Sequence, residues 1–94
     1  MATLMAQSQV REKLKRIPEW ELHEKEIERT FEWDDFNQAM DFVNAVAELA
    51  NEANHHPDLD IRWNKVRVAL YTHSAGGVTE LDFQLAEKVD MLEE

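Results

Sequence analysis

The chain has no cysteine, two glycines and two prolines in 94 residues. Without cysteine there is no disulfide framework and no thiolate metal site. So little glycine and proline argues against disorder and against a turn-rich β-sandwich. Long apolar runs are missing too, and none approaches the roughly 18 residues that span a bilayer. Polar Gln7 and Ser8 stand where a secretory leader needs an apolar stretch, so the expected location is cytoplasmic. Basic residues are scarce: ten Lys and Arg against twenty Asp and Glu give a net charge of −10. Only residues 11–16 and 62–67 are basic, and residues 17–60 carry 2 basic against 13 acidic side chains. Binding through phosphates needs a basic face, so direct nucleic-acid binding is not expected.

What is present suffices for one small domain over residues 1–94. Hydrophobic residues make up 44% of the chain and include three Trp, enough to build a core despite the unfavourable surface-to-volume ratio of a short chain. Ser8 is a candidate cap for a first helix whose apolar stripe is Val10, Leu14 and Ile17, ended by Pro18. The period then changes. Trp20 and Leu22 alternate with charged residues, and Ile27, Arg29, Phe31 and Trp33 alternate with Glu28, Thr30 and Glu32. This predicts two strands about a turn at residues 24–26, with Arg29 interrupting the apolar face.

Asp34 or Asp35 can cap the clearest element, a helix of about 18 residues with Phe36, Ala39, Met40, Val43, Val46, Ala47, Ala50 and Ala53 on one face. It ends near Asn54, and Pro57 makes His56 extended. Ile61 and Trp63 suggest a short strand. Val66, Val68, Leu70 and Thr72 alternate with Arg67, Ala69, Tyr71 and His73 in a strand of β-branched and aromatic types. Residues 74–77 form a loop, and Thr79-Glu80-Leu81-Asp82 resembles a capping box opening a helix over residues 80–92, with Leu85, Val89 and Leu92 inward. The order α-β-β-α-β-β-α predicts an α+β fold, a four-stranded antiparallel sheet with helices packed on one face. The other face, with Ala69 and Tyr71 exposed, then invites a partner subunit.

Three of the four histidines carry the chemical signal. His55 and His56 lie at a helix-to-strand junction and His73 at a strand end, where side chains gather around a cleft. An imidazole titrates near neutrality, so converging histidines suit proton transfer without redox chemistry. The same pair also fits a plain polar loop or a metal site. Adjacent side chains diverge on an extended backbone, which makes His55 and His56 poor joint ligands. His23 reads as solvated. Asp82 reads as a capping residue or as one that orients a histidine. Gly76-Gly77 lacks the pattern of a phosphate-binding loop. Trp63, close to the pair in sequence, is a candidate border for a flat ligand.

From Trp20 to about Asp90 the sequence resembles the pterin-4a-carbinolamine dehydratase family. The specific part is His55-His56-Pro57, then Trp63, then His73, then Asp82. Supporting matches are Phe31-x-Trp33-x-Asp35-Phe36 with Ala39 and Phe42, Trp63-Asn64-Lys65-Val66, and Leu85-Ala86. The pattern departs at Asn51, where members often carry Glu, at Asn54, often Asp, and at Leu59, where some carry Trp. The resemblance implies dehydration of a 4a-hydroxytetrahydropterin to quinonoid dihydropterin and water, with no metal or other cofactor. It makes His55, His56 and His73 the catalytic residues and places Asn54, Tyr71, Thr72 and Ser74 with them along the pterin, Asp82 standing behind. It also implies a homo-oligomer, dimer or tetramer. Some animal members serve as dimerisation cofactors of a homeodomain transcription factor, so a protein-interaction module is the alternative reading.

Overall fold

A computed structural model describes residues 2–93. Helix α1 (Gln7–Leu14) starts earlier than its expected cap. Ser8 lies inside it, and the Ala6 N–H donates instead to the Gln9 side chain at 2.9 Å. Val10 is buried. The helix has already ended when Pro18 is reached: tightened turns carry the chain through residues 15–17 and bury Ile17 beyond the helix.

Strands β1 (Glu21–His23) and β2 (Glu26–Glu32) flank a two-residue turn at Glu24 and Lys25. Glu26 belongs to the strand and not to the turn. Trp20 precedes β1, and its indole N–H donates to Asp90 at 2.8 Å. Helix α2 (Phe36–Ala53) is capped by Asp35, which accepts the Gln38 N–H at 2.8 Å. Its buried face is Ala39, Phe42, Val46 and Ala50. Phe36, Ala47 and Ala53 are exposed, so the apolar stripe expected from the sequence is rotated towards Phe42. Phe42 packs on Phe31 and Trp33 with ring centroids 4.6 and 5.0 Å apart, and that aromatic contact sets the rotation.

Strands β3 (Asp58–Arg62) and β4 (Lys65–Leu70) form the second hairpin, and α3 (Glu80–Met91) closes the chain. Strand β4 is shorter than its alternation suggested. Thr72 makes only an isolated bridge to Gly77, and His73 sits in the turn beyond. The sheet is antiparallel throughout, in the order β1-β2-β4-β3. This is the α+β arrangement expected from the element order.

Opposed residues share a face of the sheet. Ile27 with Leu70 and Phe31 with Val66 point to the same side and meet Val10 of α1, Val46 of α2 and Leu85 and Val89 of α3. All three helices therefore cover one face. Full burial of an aromatic such as Phe31 stabilises by about 1.5–3 kcal/mol. Arg29 does not interrupt this face as the alternation implied. Its guanidinium lies 4.1 Å from the Phe31 ring centroid and donates to Asp90 and Glu93, both at 2.7 Å. Burial works against the Arg29 charge, but the bonds to Glu93 and Asp90 outweigh it and the pKa is raised.

The opposite face is charged, not apolar. Arg67 reaches across it to Glu28 and Glu26, each at 2.6 Å. Ala69, expected to be exposed there, is 2% accessible, and Tyr71 is half-buried. The apolar patch expected to call for a partner is absent from this face. No helix among the described residues is long and apolar enough to cross a membrane.

Candidate active site

Four chain segments meet at one end of the molecule. Helix α2 stops at Asn54, whose left-handed backbone (φ 50°) turns the chain sharply. Asn is one of the few residues besides glycine that adopts this geometry readily. The His55 N–H returns to the Ala50 carbonyl at 3.1 Å, which completes the helix end. Pro57 then forces an extended path into β3. Pairing of Asp58 with Ala69 sets the start of β3 beside the end of β4. The turn after β4 is closed by a hydrogen bond from Thr72 N–H to the Gly77 carbonyl, 2.9 Å, with Gly76 in the positive-φ region (77°). The two glycines thus shape the turn that carries His73 and Ser74.

These segments enclose a cavity of about 480 Å³, a size suited to a small molecule. The residues that the family resemblance places along a pterin all line it: Asn54, His55, His56, Tyr71, Thr72, His73 and Ser74. Asp58, Pro57 and Leu81 line it as well and were not anticipated. Asp58 and Pro57 directly follow the histidine pair, and Leu81 directly precedes Asp82, so adjacency to the signal residues was the available clue. His23 lies on β1, exposed and outside the cavity. Trp63 is also elsewhere. It occupies the hairpin turn at the far end of β3, with φ 55° and 68% accessibility. Five strand residues separate it from Pro57, roughly 20 Å of extended chain. Closeness in sequence did not translate into closeness in space because a strand runs straight.

Asp82 caps α3 and also contacts a histidine. Its Oδ2 accepts the Thr79 N–H at 2.8 Å, the reciprocal bond of a capping box, and the Thr72 hydroxyl at 2.7 Å. Its Oδ1 meets His55 Nε2 at 2.5 Å. The carboxylate is completely buried, so every acceptor position counts. Because it serves as acceptor throughout, His55 carries its proton on Nε2 and leaves Nδ1 as the acceptor when neutral. The network continues: the Thr79 hydroxyl lies 2.8 Å from Thr72 Oγ1 and accepts the Leu81 N–H at 3.3 Å. Since Thr72 donates to Asp82, Thr79 donates to Thr72.

The adjacent pair diverges, as the extended backbone requires. His55 is buried, whereas His56 is exposed and donates from Nε2 to Asn51 Oδ1 at 3.0 Å. His73 is exposed and packs edge-to-face on Tyr71, with ring centroids 4.6 Å apart and an interplanar angle of 87°. Three imidazoles thus border one cavity. One is held by a buried carboxylate, one by a neutral amide and one by an aromatic ring. Among the described residues no three His, Cys, Asp or Glu side chains converge as a metal ion requires. Such an arrangement can donate and accept protons on a bound molecule from more than one side.

Known proteins resemble this chain in sequence and in fold. The family model described as Pterin 4 alpha carbinolamine dehydratase matches residues 3–92. A protein of Acidobacterium capsulatum is 55% identical over 83 residues, covering 88% of this chain and 90% of its own length. One of Sulfurisphaera tokodaii is 46% identical over 88 residues, covering 94% and 95%. Both bear the name pterin-4-alpha-carbinolamine dehydratase provisionally. A crystal structure from Brucella melitensis, described as a transcriptional coactivator/pterin dehydratase, superposes with a TM-score of 0.90 at 34% identity, over 94% of this chain and 96% of that one. A pterin dehydratase-like RuBisCO assembly factor of the alpha-carboxysome shares the fold, with a TM-score of 0.64 at 23% identity over 78% of this chain and 84% of that one. With a family match over nearly its whole length and relatives at about half identity, the chain belongs to the pterin-4-alpha-carbinolamine dehydratase family.

Proposed function

We propose that this protein dehydrates a 4a-hydroxytetrahydropterin to quinonoid dihydropterin and water, with His55, His56 and His73 as its proton-transferring and binding groups. The observation that carries the reading is the meeting of three imidazoles at one cavity, one of them fixed by the buried Asp82. The chemistry asks for little more. The C4a–O bond breaks as the departing hydroxyl takes a proton, and the N5 lone pair forms the new C=N bond. A ring N–H then loses a proton, so one proton enters and one leaves. His55 and His73 exchange these protons, and His56 holds the pterin from the solvent side. Asn54, Tyr71, Thr72 and Ser74 line the ring, and Asp82 orients His55 without touching the substrate. Acid–base assistance of this kind is worth roughly 10²–10⁴-fold.

Stopped-flow absorbance of 4a-hydroxytetrahydropterin decay tests this. The wild type is expected to accelerate the decay above the buffer rate, and the folded His55→Ala/His73→Ala protein to lose that acceleration. No acceleration by folded wild type would remove the dehydratase reading, and full acceleration by the double variant would remove the histidines from it.

A protein-binding role is the second reading. It is supported by the Brucella melitensis neighbour, whose description joins a coactivator to a pterin dehydratase. The reading of residues 1–94 as one cytoplasmic domain rests on chain length and the polar Gln7 and Ser8, and its self-association on the family resemblance. Sedimentation velocity checks it, with a monomer at micromolar concentration counting against self-association.

A further inference from the structure

His55 is fixed by a buried carboxylate, whereas the His73 ring is placed by Tyr71 and by the backbone of its turn. That turn is anchored at both ends. At its start, Thr72 is tied to Asp82 and Thr79. At its end, the segment ahead of α1 lies against it. Met5 donates its N–H to the Val78 carbonyl at 3.0 Å and packs its side chain on the core. Leu4 is 52% exposed, yet it rests on Gly77. A Cβ built at position 77 would stand 2.6 Å from Leu4 Cδ1 and, outside its chain neighbours, would meet no other described atom within 4 Å. The two glycines of the turn therefore answer different demands. Gly76 has φ 77° and open space where a Cβ would point, so backbone conformation calls for glycine there. Gly77 has no positive φ, and the close approach of Leu4 is what calls for glycine.

We propose that Leu4 and Met5 are positioning residues, which hold the end of this turn against the protein and so keep the His73 imidazole in place at the histidine cavity. Neither residue lines that cavity. Their hold reaches His73 through the turn's own bonds. The Gly77 carbonyl accepts the Thr72 N–H at 2.9 Å, and the Gly76 N–H is shared between the carbonyls of Thr72, 3.0 Å, and His73, 3.2 Å. His73 thus hangs between Asp82 on one side and residues 4–5 on the other. For its effect on rate the proposal rests on the dehydratase reading; for its effect on the His73 ring it does not. Leu4 is half-exposed, so its truncation loosens the turn without unfolding the protein.

Two readouts test it. The first is the NMR signal of the His73 ring protons, which the edge-to-face Tyr71 ring displaces from that of an exposed imidazole such as His23. In Leu4→Ala the His73 signals are expected to move towards those of His23, the His56 signals to stay, and the Thr72 and Gly76 amides to exchange faster. Gly77→Ala, whose methyl evicts Leu4, should do the same, the double variant should go no further than either, and Leu4→Met should restore the wild-type signals. The second readout is turnover. Leu4→Ala is expected to lower kcat on the order of tenfold, within the roughly 10²-fold that an ångström of misplacement can cost, and to leave the Kd of a dihydropterin within about twofold. Added to His73→Ala, it should lower kcat no further. His73 signals or kcat unmoved in Leu4→Ala, a loss of kcat that multiplies with that of His73→Ala, or an equal shift of the His56 signals would each overturn the proposal. Absence of turnover by the wild type would instead strike the dehydratase reading, and the His73 signals would still decide the positioning.

Discussion

The carboxylate of Asp82 closes the N-terminus of α3 and, 2.5 Å away, holds His55 of the α2–β3 junction. One buried side chain thereby couples the start of a helix to the orientation of a histidine 27 positions earlier in the chain. Thr72, which donates to the same carboxylate, ties in the turn that carries His73.

Asp82→Ala is expected to lose both stability and activity. It strands three buried donors, the His55 ring N–H, the Thr72 hydroxyl and the Thr79 N–H, at a cost of about 3 kcal/mol or more. Asp82→Asn keeps the volume but turns an N–H₂ towards donors, so it should lie between Ala and wild type. Urea denaturation gives the stabilities and stopped-flow decay the rates. A stability within 0.5 kcal/mol of wild type in Asp82→Ala, on the order of a neutral surface change, would contradict the network.

Asn51 anchors His56 from the exposed side, so Asn51→Ala should weaken binding more than turnover. A rise in KM of about fivefold with kcat little changed corresponds to one ordinary hydrogen bond. A fall in kcat with KM constant would mean that His56 takes part in proton transfer itself.

Arg29 binds the strand to the end of α3, far from the histidines. Arg29→Ala is expected to destabilise by about 2 kcal/mol through loss of the contact with Phe31 and of the bonds to Asp90 and Glu93. Arg29→Met restores the packing of the side-chain stem but not the charge, and should recover part of that loss. Thermal melts of the two variants separate the contributions, and equal melting points would assign the whole effect to the charge.

Trp63, at the distal hairpin turn, should be dispensable for the reaction. Trp63→Asn suits the positive φ there and is expected to leave kcat/KM within about twofold and stability unchanged or slightly raised. A large drop in kcat/KM would return this residue to the site.

The amino-acid sequence by itself determined the elements and the candidate chemistry. Period-two alternation over residues 27–33 and 66–73, period-3.6 spacing over residues 36–53, and the caps at Asp35 and Thr79 are local signals, and each element formed on its signal, with the strands Glu26–Glu32 and Lys65–Leu70 ending short of Trp33 and His73. The histidine pair before Pro57 was legible for the same reason, since adjacency and extension are written in neighbouring residues.

Tertiary structure decided what depends on contacts between distant residues. Phe42 displaced Ala47 and Ala53 from the buried face because Phe31 and Trp33 offered it aromatic partners. Arg29 became part of the core wall because α3 brought Asp90 and Glu93 to it. Asp82 could be read as a cap from residues 79–82 alone. Its bond to His55 required the helix to pack against the far end of α2. Trp63 moved away from the site because β3 stays extended between them. Local backbone preference acts over a few residues, whereas the pairing of a buried donor with its acceptor is chosen by which surfaces the hydrophobic core brings face to face.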